Sequence, residues 1–125
     1  MPSRNIDIEA LHQQLKRHPR SSEMGMIASH RGLVRATSRR GSPVRGLSIR
    51  FDRKIVNAIV DEIRGRLGII EVVVDFNEGD LGVSDDVMVV LVAGDIRENV
   101  FPALVDAVNL LKAKAAVKEE QIPLK

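Results

Sequence analysis

The sequence predicts an α+β layered domain with the order helix, strand, strand, helix, strand, strand, helix. Three observations lead to it. Ile55, Val56, Ile59, Val60, Ile63 and Leu67 recur at spacings of three and four, the apolar stripe of an amphipathic helix. Ile69 to Phe76 is rich in β-branched residues, and Val87 to Ala93 is an almost continuous apolar run, so two strands follow that helix, the second buried on both faces. Leu47, Ile49 and Phe51 alternate with Gly46, Ser48 and Arg50, as a half-buried strand requires. Strands that are neighbours in sequence favour antiparallel pairing, which separates this pattern from a parallel βαβ array.

Taken in order, Asp7 caps a first helix carried by Ile8, Leu11 and Leu15, and His18-Pro19 ends it, because the ring disfavours helical geometry at the residue before it. From Met24 to Val34 the apolar residues recur without helical spacing, giving a strand that a basic turn, Arg39-Arg40-Gly41-Ser42-Pro43, joins to the strand at 47–51. Asp52 caps the second helix and Gly68 stops it. Glu78-Gly79-Asp80 and Gly82 mark turns between the next two strands. The last helix carries Phe101, Leu104, Val105, Val108 and Leu111. Asp95 with Glu98 resembles a capping box, but Pro102 would then break an intrahelical bond at a cost of about 3 kcal/mol. A regular helix from Asn99, after an irregular turn at 95–98, mostly avoids that cost. Residues from about 119 to 125 read as a charged, flexible tail on a single domain spanning 1–125.

Composition narrows the function. Hydrophobic residues make up 44% of the chain and charged ones 29%, the balance of an ordinary soluble protein. No apolar run approaches the roughly 18 residues of a spanning helix, and Met1-Pro2-Ser3-Arg4-Asn5 lacks a signal peptide's apolar core, so a cytoplasmic location without membrane association is expected. The absence of cysteine excludes a disulfide framework, a thiolate metal site and a cysteine nucleophile. The net charge is only +2, yet Arg31, Arg35, Arg39, Arg40, Arg45, Arg50, Arg53 and Lys54 cluster in one stretch that suits an anion. With Phe51, Phe76 and Phe101 as the whole aromatic content, a base-stacking surface is nearly absent, and nucleic acid is not the expected partner.

Catalytic constellations are sparse. His12, His18 and His30 lack metal-ligand spacing, so neither a metal nor another cofactor is expected. Ser21-Ser22 and Ser84-Asp85-Asp86 lack a nucleophile elbow or a phosphate-cradling glycine pattern, and Asp85-Asp86 reads as a solvated pair heading a strand.

Residues 25–35, Gly-Met-Ile-Ala-Ser-His-Arg-Gly-Leu-Val-Arg, resemble without gaps the Gly-Ala-x-x-x-Phe-x-Gly-x-Val-Arg strand of the molybdopterin synthase large-subunit family. Gly41-Ser42-Pro43-Val44-Arg45-Gly46-Leu47, Gly79-Asp80-Leu81-Gly82-Val83, Ile96-Arg97 and Leu111-Lys112 continue the resemblance in order, over residues 18 to 120. The resemblance implies an α/β hammerhead fold, a homodimer, and a heterotetramer with a small ubiquitin-like sulfur carrier whose C-terminal Gly-Gly tail ends in a thiocarboxylate. The implied reaction installs two dithiolene sulfurs on cyclic pyranopterin monophosphate, yielding molybdopterin for molybdenum cofactor biosynthesis. Arg35 and Arg97 become candidates for binding the substrate's phosphate, since a guanidinium matches phosphate oxygens. Lys112 and Lys118 become catalytic candidates, by match to the family's functional lysines. Their bland reading is a solvated face, which a lysine near a helix C-terminus favours by about 0.3–1 kcal/mol.

The pattern also departs from the family. His30 stands for the strand's phenylalanine, Ile49 and Arg50 for a tyrosine and glutamate, Phe76-Asn77 for the first His-Arg pair, and Ile96 for the histidine of the second. Ala115-Ala116-Val117-Lys118 replaces Pro-x-Trp-Lys. Two readings follow: a synthase subunit working with a reduced residue set, or a non-catalytic relative serving as a binding or regulatory module.

Overall fold

A computed structural model describes residues 5 to 122. Helix α1 (Ile8–Lys16) is followed by strands β1 (Met26–Leu33) and β2 (Gly46–Phe51), helix α2 (Arg53–Arg64), strands β3 (Ile69–Phe76), β4 (Gly79–Gly82) and β5 (Asp86–Gly94), helix α3 (Arg97–Leu110), a π turn at Leu111–Ala115, and strand β6 (Ala116–Gln121). The predicted class and the order of its helices hold. Two strands are additional.

The strands form two antiparallel sheets of three, β1-β5-β3 and β4-β2-β6. Double burial of β5 explains the first. Val90 and Val92 pack with α2 and α3 in the main core, while Val89, Leu91 and Ala93 pack with α1 in a second cluster. A strand apolar on both faces takes the centre of its sheet, so β1 pairs with β5 rather than with β2, its neighbour in sequence. The expected β1–β2 hairpin is therefore wrong, and the basic segment between them crosses from one sheet to the other.

Both predicted caps hold. Asp7 accepts from the Ala10 amide at 3.0 Å, and Asp52 accepts from the Lys54 and Ile55 amides at 3.0 and 3.2 Å. Helix α2 stops at Arg64, before the expected glycine, and Leu67 leaves the stripe at 86% exposure, while Gly68, at φ +79°, turns the chain into β3.

Helix α3 departs further. It starts at Arg97, so Pro102 sits inside it rather than in its first turn. Glu98, whose carbonyl the proline leaves without its helical donor, lies on the exposed face, where water can replace that donor. Asp95 does not form a capping box; its carboxylate accepts from the Ile96 amide and the Asn99 side chain. The buried stripe is Val100, Ala103, Ala107, Val108 and Leu111, whereas Phe101 and Val105, expected inside, are about half exposed. Alanines on the inner face let α3 lie close to β1 and β5.

The expected turn at 79–82 is strand β4, paired with β2. The expected tail is likewise ordered as far as Gln121, since β6 pairs with β2 from Phe51↔Ala116 to Gly46↔Gln121; residues 123 to 125 lie outside the described residues. Asp85 and Asp86 are buried rather than solvated. Among the described residues no helix is long and apolar enough to cross a membrane.

Candidate functional site: a basic groove between the sheets

A groove of about 1150 Å³ opens where the end of β1, the start of β5, β2, β6 and the π turn meet. Its floor is apolar, with Val34, Leu47, Ile49, Phe51 and Met88. Its rim is cationic: Arg35, Arg39 and Arg40 from the segment after β1, Lys112 from the π turn, and Lys118 from β6. Three of the four site residues expected from sequence thus converge.

Local structure explains each position. The turn at the tip of the basic segment closes through Ser38 N–H to Ser42 O (2.8 Å), Gly41 N–H to Ser38 O (2.9 Å) and Ser42 N–H to the Ser38 hydroxyl (3.1 Å), with Gly41 at φ +85°. That closure holds Arg39 and Arg40 at the rim. The Val34 amide donates to Asp85 O at 3.0 Å, fixing the β1 end from which Arg35 projects. In the π turn Leu111 and Ala115 are buried while Lys112 and Lys114 stay outside, and the Asp52 amide donates to Ala115 O at 2.9 Å. Lys118 lies across from Ile49 in the β2–β6 register. It owes that place to a strand hidden from sequence reading.

Arg97 does not join them. It heads α3, 79% exposed, and its guanidinium pairs with Glu98 at 3.2 Å. The helix between it and Lys112 separates the two by roughly 20 Å at 1.5 Å per residue.

Electrostatics single out two groups. Lys112 is exposed as a residue, yet partial burial, then the charges of Arg39, Lys118 and Arg35, lower its pKa from the ordinary ammonium value. His30 is lowered too, by burial first and the Lys112 charge second. From sequence His30 was weighed only for metal spacing and as a departure from the family strand, and its electrostatic coupling to Lys112 was not foreseen. No group of acids, histidines and cysteines among the described residues could hold a metal.

Such a groove can hold an anionic ligand with an apolar body, its phosphate or carboxylate among fixed cations. No curated protein matches the chain. Among solved structures, molybdopterin synthase from Staphylococcus aureus superposes with TM-score 0.79 at 19% identity, covering 98% of this chain and 90% of that one. The MoaE protein of Burkholderia ambifaria MC40-6 superposes with TM-score 0.77 at 23% identity, covering 97% and 80%. A complex of subunits 1 and 2 of molybdopterin-converting factor from Helicobacter pylori 26695 gives TM-score 0.72 at 16% identity, covering 98% and 84%. At these identities the likeness is one of fold. A family model described as MoaE protein matches residues 1–114, nearly the whole chain, so the chain belongs to the MoaE family.

Proposed function

We propose that this MoaE-family chain is the large subunit of a molybdopterin synthase, transferring sulfur from a thiocarboxylated small carrier to cyclic pyranopterin monophosphate. The chain belongs to molybdenum cofactor biosynthesis, as its family does. The observation that carries the catalytic reading is the convergence of Arg35, Lys112 and Lys118 on one groove with an apolar floor. Arg35 binds the substrate's phosphate. The apolar floor accepts the pterin and the carrier's narrow Gly-Gly tail. Lys112 and Lys118 face the reacting carbon and the tail's terminal carbonyl, where negative charge develops as sulfur adds and leaves. Each transfer forms a carbon–sulfur bond on the pterin side chain and breaks one carbon–oxygen bond there, its oxygen leaving. An oxygen from water replaces the sulfur on the carrier's acyl carbon, so a carboxylate carrier departs and two carriers are consumed per dithiolene. Partial burial, then the neighbouring cations, lower the pKa of Lys112 and make its ammonium a readier proton donor.

A small-subunit partner fits the Helicobacter pylori complex that shares this fold. The reading also includes a cytoplasmic homodimer that binds carrier as a heterotetramer. An anion-binding role for Arg97 requires that second copy, because one chain keeps Arg97 far from its own groove. No resident metal or cofactor enters the mechanism.

A specific observation favours the second reading, a non-catalytic binding module. Ile96, half exposed at the head of α3, stands where the resemblance implies a proton-carrying histidine. The deciding experiment mixes the chain with thiocarboxylated small subunit and the cyclic pterin and measures dithiolene. Product, lost on Lys112→Ala, is the expected result. Carrier binding without product would overturn the synthase reading in favour of the binding module.

A further inference from the structure

The even-numbered residues of β1 turn toward α3: Met26 and Ala28 join the main core, and His30 follows on the same face. His30 Nε2 is buried and has no hydrogen-bond partner among the described residues. Buried polar atoms are nearly always paired, so an orphan nitrogen beside a ligand-sized groove calls for an explanation. The ring leans over Gly32, where a β-carbon would sit 3.3 Å from Nε2, and Gly32 itself forms part of the groove wall. Glycine puts no side chain between that buried nitrogen and the groove that Gly32 lines.

Lys112, on the π turn, lines the same groove as Gly32, and its charge acts on the imidazole. The ring is therefore neutral at pH 7 and carries one nitrogen able to accept. The lysine's other charged neighbours repel it: Arg39, Lys118 and Arg35 all act against its ammonium. Glu120 on β6 lines the groove beyond them, and Arg31 is occupied by Asp86 at 3.3 Å. From β5 this face receives Met88, Val90 and Val92, all apolar. Among these neighbours His30 offers a neutral acceptor inside the wall.

We propose, resting on the synthase reading, that His30 is the positioning residue of Lys112, its neutral ring nitrogen accepting a hydrogen bond from Lys112 Nζ when substrate and carrier tail fill the groove. No covalent bond changes, and the lysine keeps its proton. The contact holds a side chain that its cationic neighbours would otherwise drive into solvent. Protonation of His30 adds another cation to the cluster and releases the lysine, so activity falls on the acid side, below the ordinary imidazole pKa of 6.5.

The test is single-turnover dithiolene formation by the full chain with thiocarboxylated small subunit, from pH 5 to 9. His30→Phe keeps the ring's bulk and removes both nitrogens; His30→Gln restores an acceptor that does not titrate. Expected are a roughly tenfold slower reaction for the phenylalanine variant, with unchanged carrier affinity, and recovery to within about threefold for the glutamine variant. Neither keeps the acid limb. Equal losses in both, or a phenylalanine variant with the unaltered rate and acid limb, would overturn the assignment. A second arm needs no turnover: nitrogen NMR follows the His30 titration in the unmodified chain and in Lys112→Met. The His30 midpoint should rise once the lysine charge is gone; an unmoved midpoint refutes the pairing. Should the unmodified chain bind carrier and yield no product, the synthase reading fails alone, and this titration still decides whether His30 and Lys112 act together.

Discussion

Asp86 is the residue whose removal should cost the fold most for a single polar group. Its side chain is 2% exposed; it accepts from the Ile6 amide at 2.6 Å and meets Arg31 Nε at 3.3 Å. Arg31 in turn donates to Ile6 O at 2.8 Å, so one carboxylate ties the segment before α1 to β1 and β5. Asp86→Ala leaves the Ile6 amide without an acceptor in a buried place, a loss of about 1.5–3 kcal/mol for a hydrogen bond to a charged group. The Arg31 pair adds at most about 1 kcal/mol, because that guanidinium is 39% exposed and screened by solvent. The total is about 3 kcal/mol. Asp86→Asn keeps an acceptor for the amide and loses only the charge, so its cost should be about 1 kcal/mol. Urea unfolding followed by far-UV circular dichroism gives both numbers. An alanine variant within about 1 kcal/mol of the unmodified chain, or equal midpoints for the two variants, would refute the reasoning. A fall in the slope of the alanine variant's transition would show that the segment around Ile6 has undocked before the rest unfolds.

Asp52→Ala should cost about 1 kcal/mol in the same assay, since it removes the acceptor for the first amides of α2. Gly25→Ala should cost about 2 kcal/mol or more, because a β-carbon there would overlap the Asp95 carbonyl oxygen, a backbone atom that cannot swing aside. Lys112→Met should raise the unfolding free energy measured in urea at pH 7, by no more than about 0.5 kcal/mol. The sign follows from a folded pKa below 10.5: the unfolded chain holds that proton more tightly, so the gain shrinks as pH rises through the folded pKa toward 10.5, and a gain that grows with pH would contradict the crowding of cations.

The helices and the central strand were legible because burial stamps a period on them. The stripe of α2 and the unbroken apolar run of β5 are direct records of one-sided and two-sided packing. Strands β4 and β6 carry no such record. Gly79–Gly82 buries only Leu81, and Ala116–Gln121 buries none of its residues, so neither shows an apolar alternation. Their conformation comes from backbone pairing with β2, a long-range partner invisible to a local pattern. The same cause misplaced β1 and β2 as a hairpin: proximity in sequence suggested pairing, while the two buried faces of β5 demanded β1 as an edge.

The site divides along similar lines. Arg35 and Lys112 were reached through the resemblance, on the gapless match of residues 25–35 and on Leu111-Lys112, and not through any apolar period. Lys118 was readable only as a residue type, since its position depends on β6. His30 shows the limit most clearly, because what marks it is an unpaired nitrogen, and a sequence records neither partners nor their absence. Arg97 makes the converse point. It was grouped with Lys112 by resemblance, yet a straight helix is a ruler: roughly 20 Å of α3 stands between them, and no small phosphate ester bridges that span. Two cations at opposite ends of one helix serve one ligand only if the helix is not alone, so whether Arg97 contributes to catalysis is a question about a second copy of the chain, while Arg35, Lys112 and Lys118 answer to the groove within one.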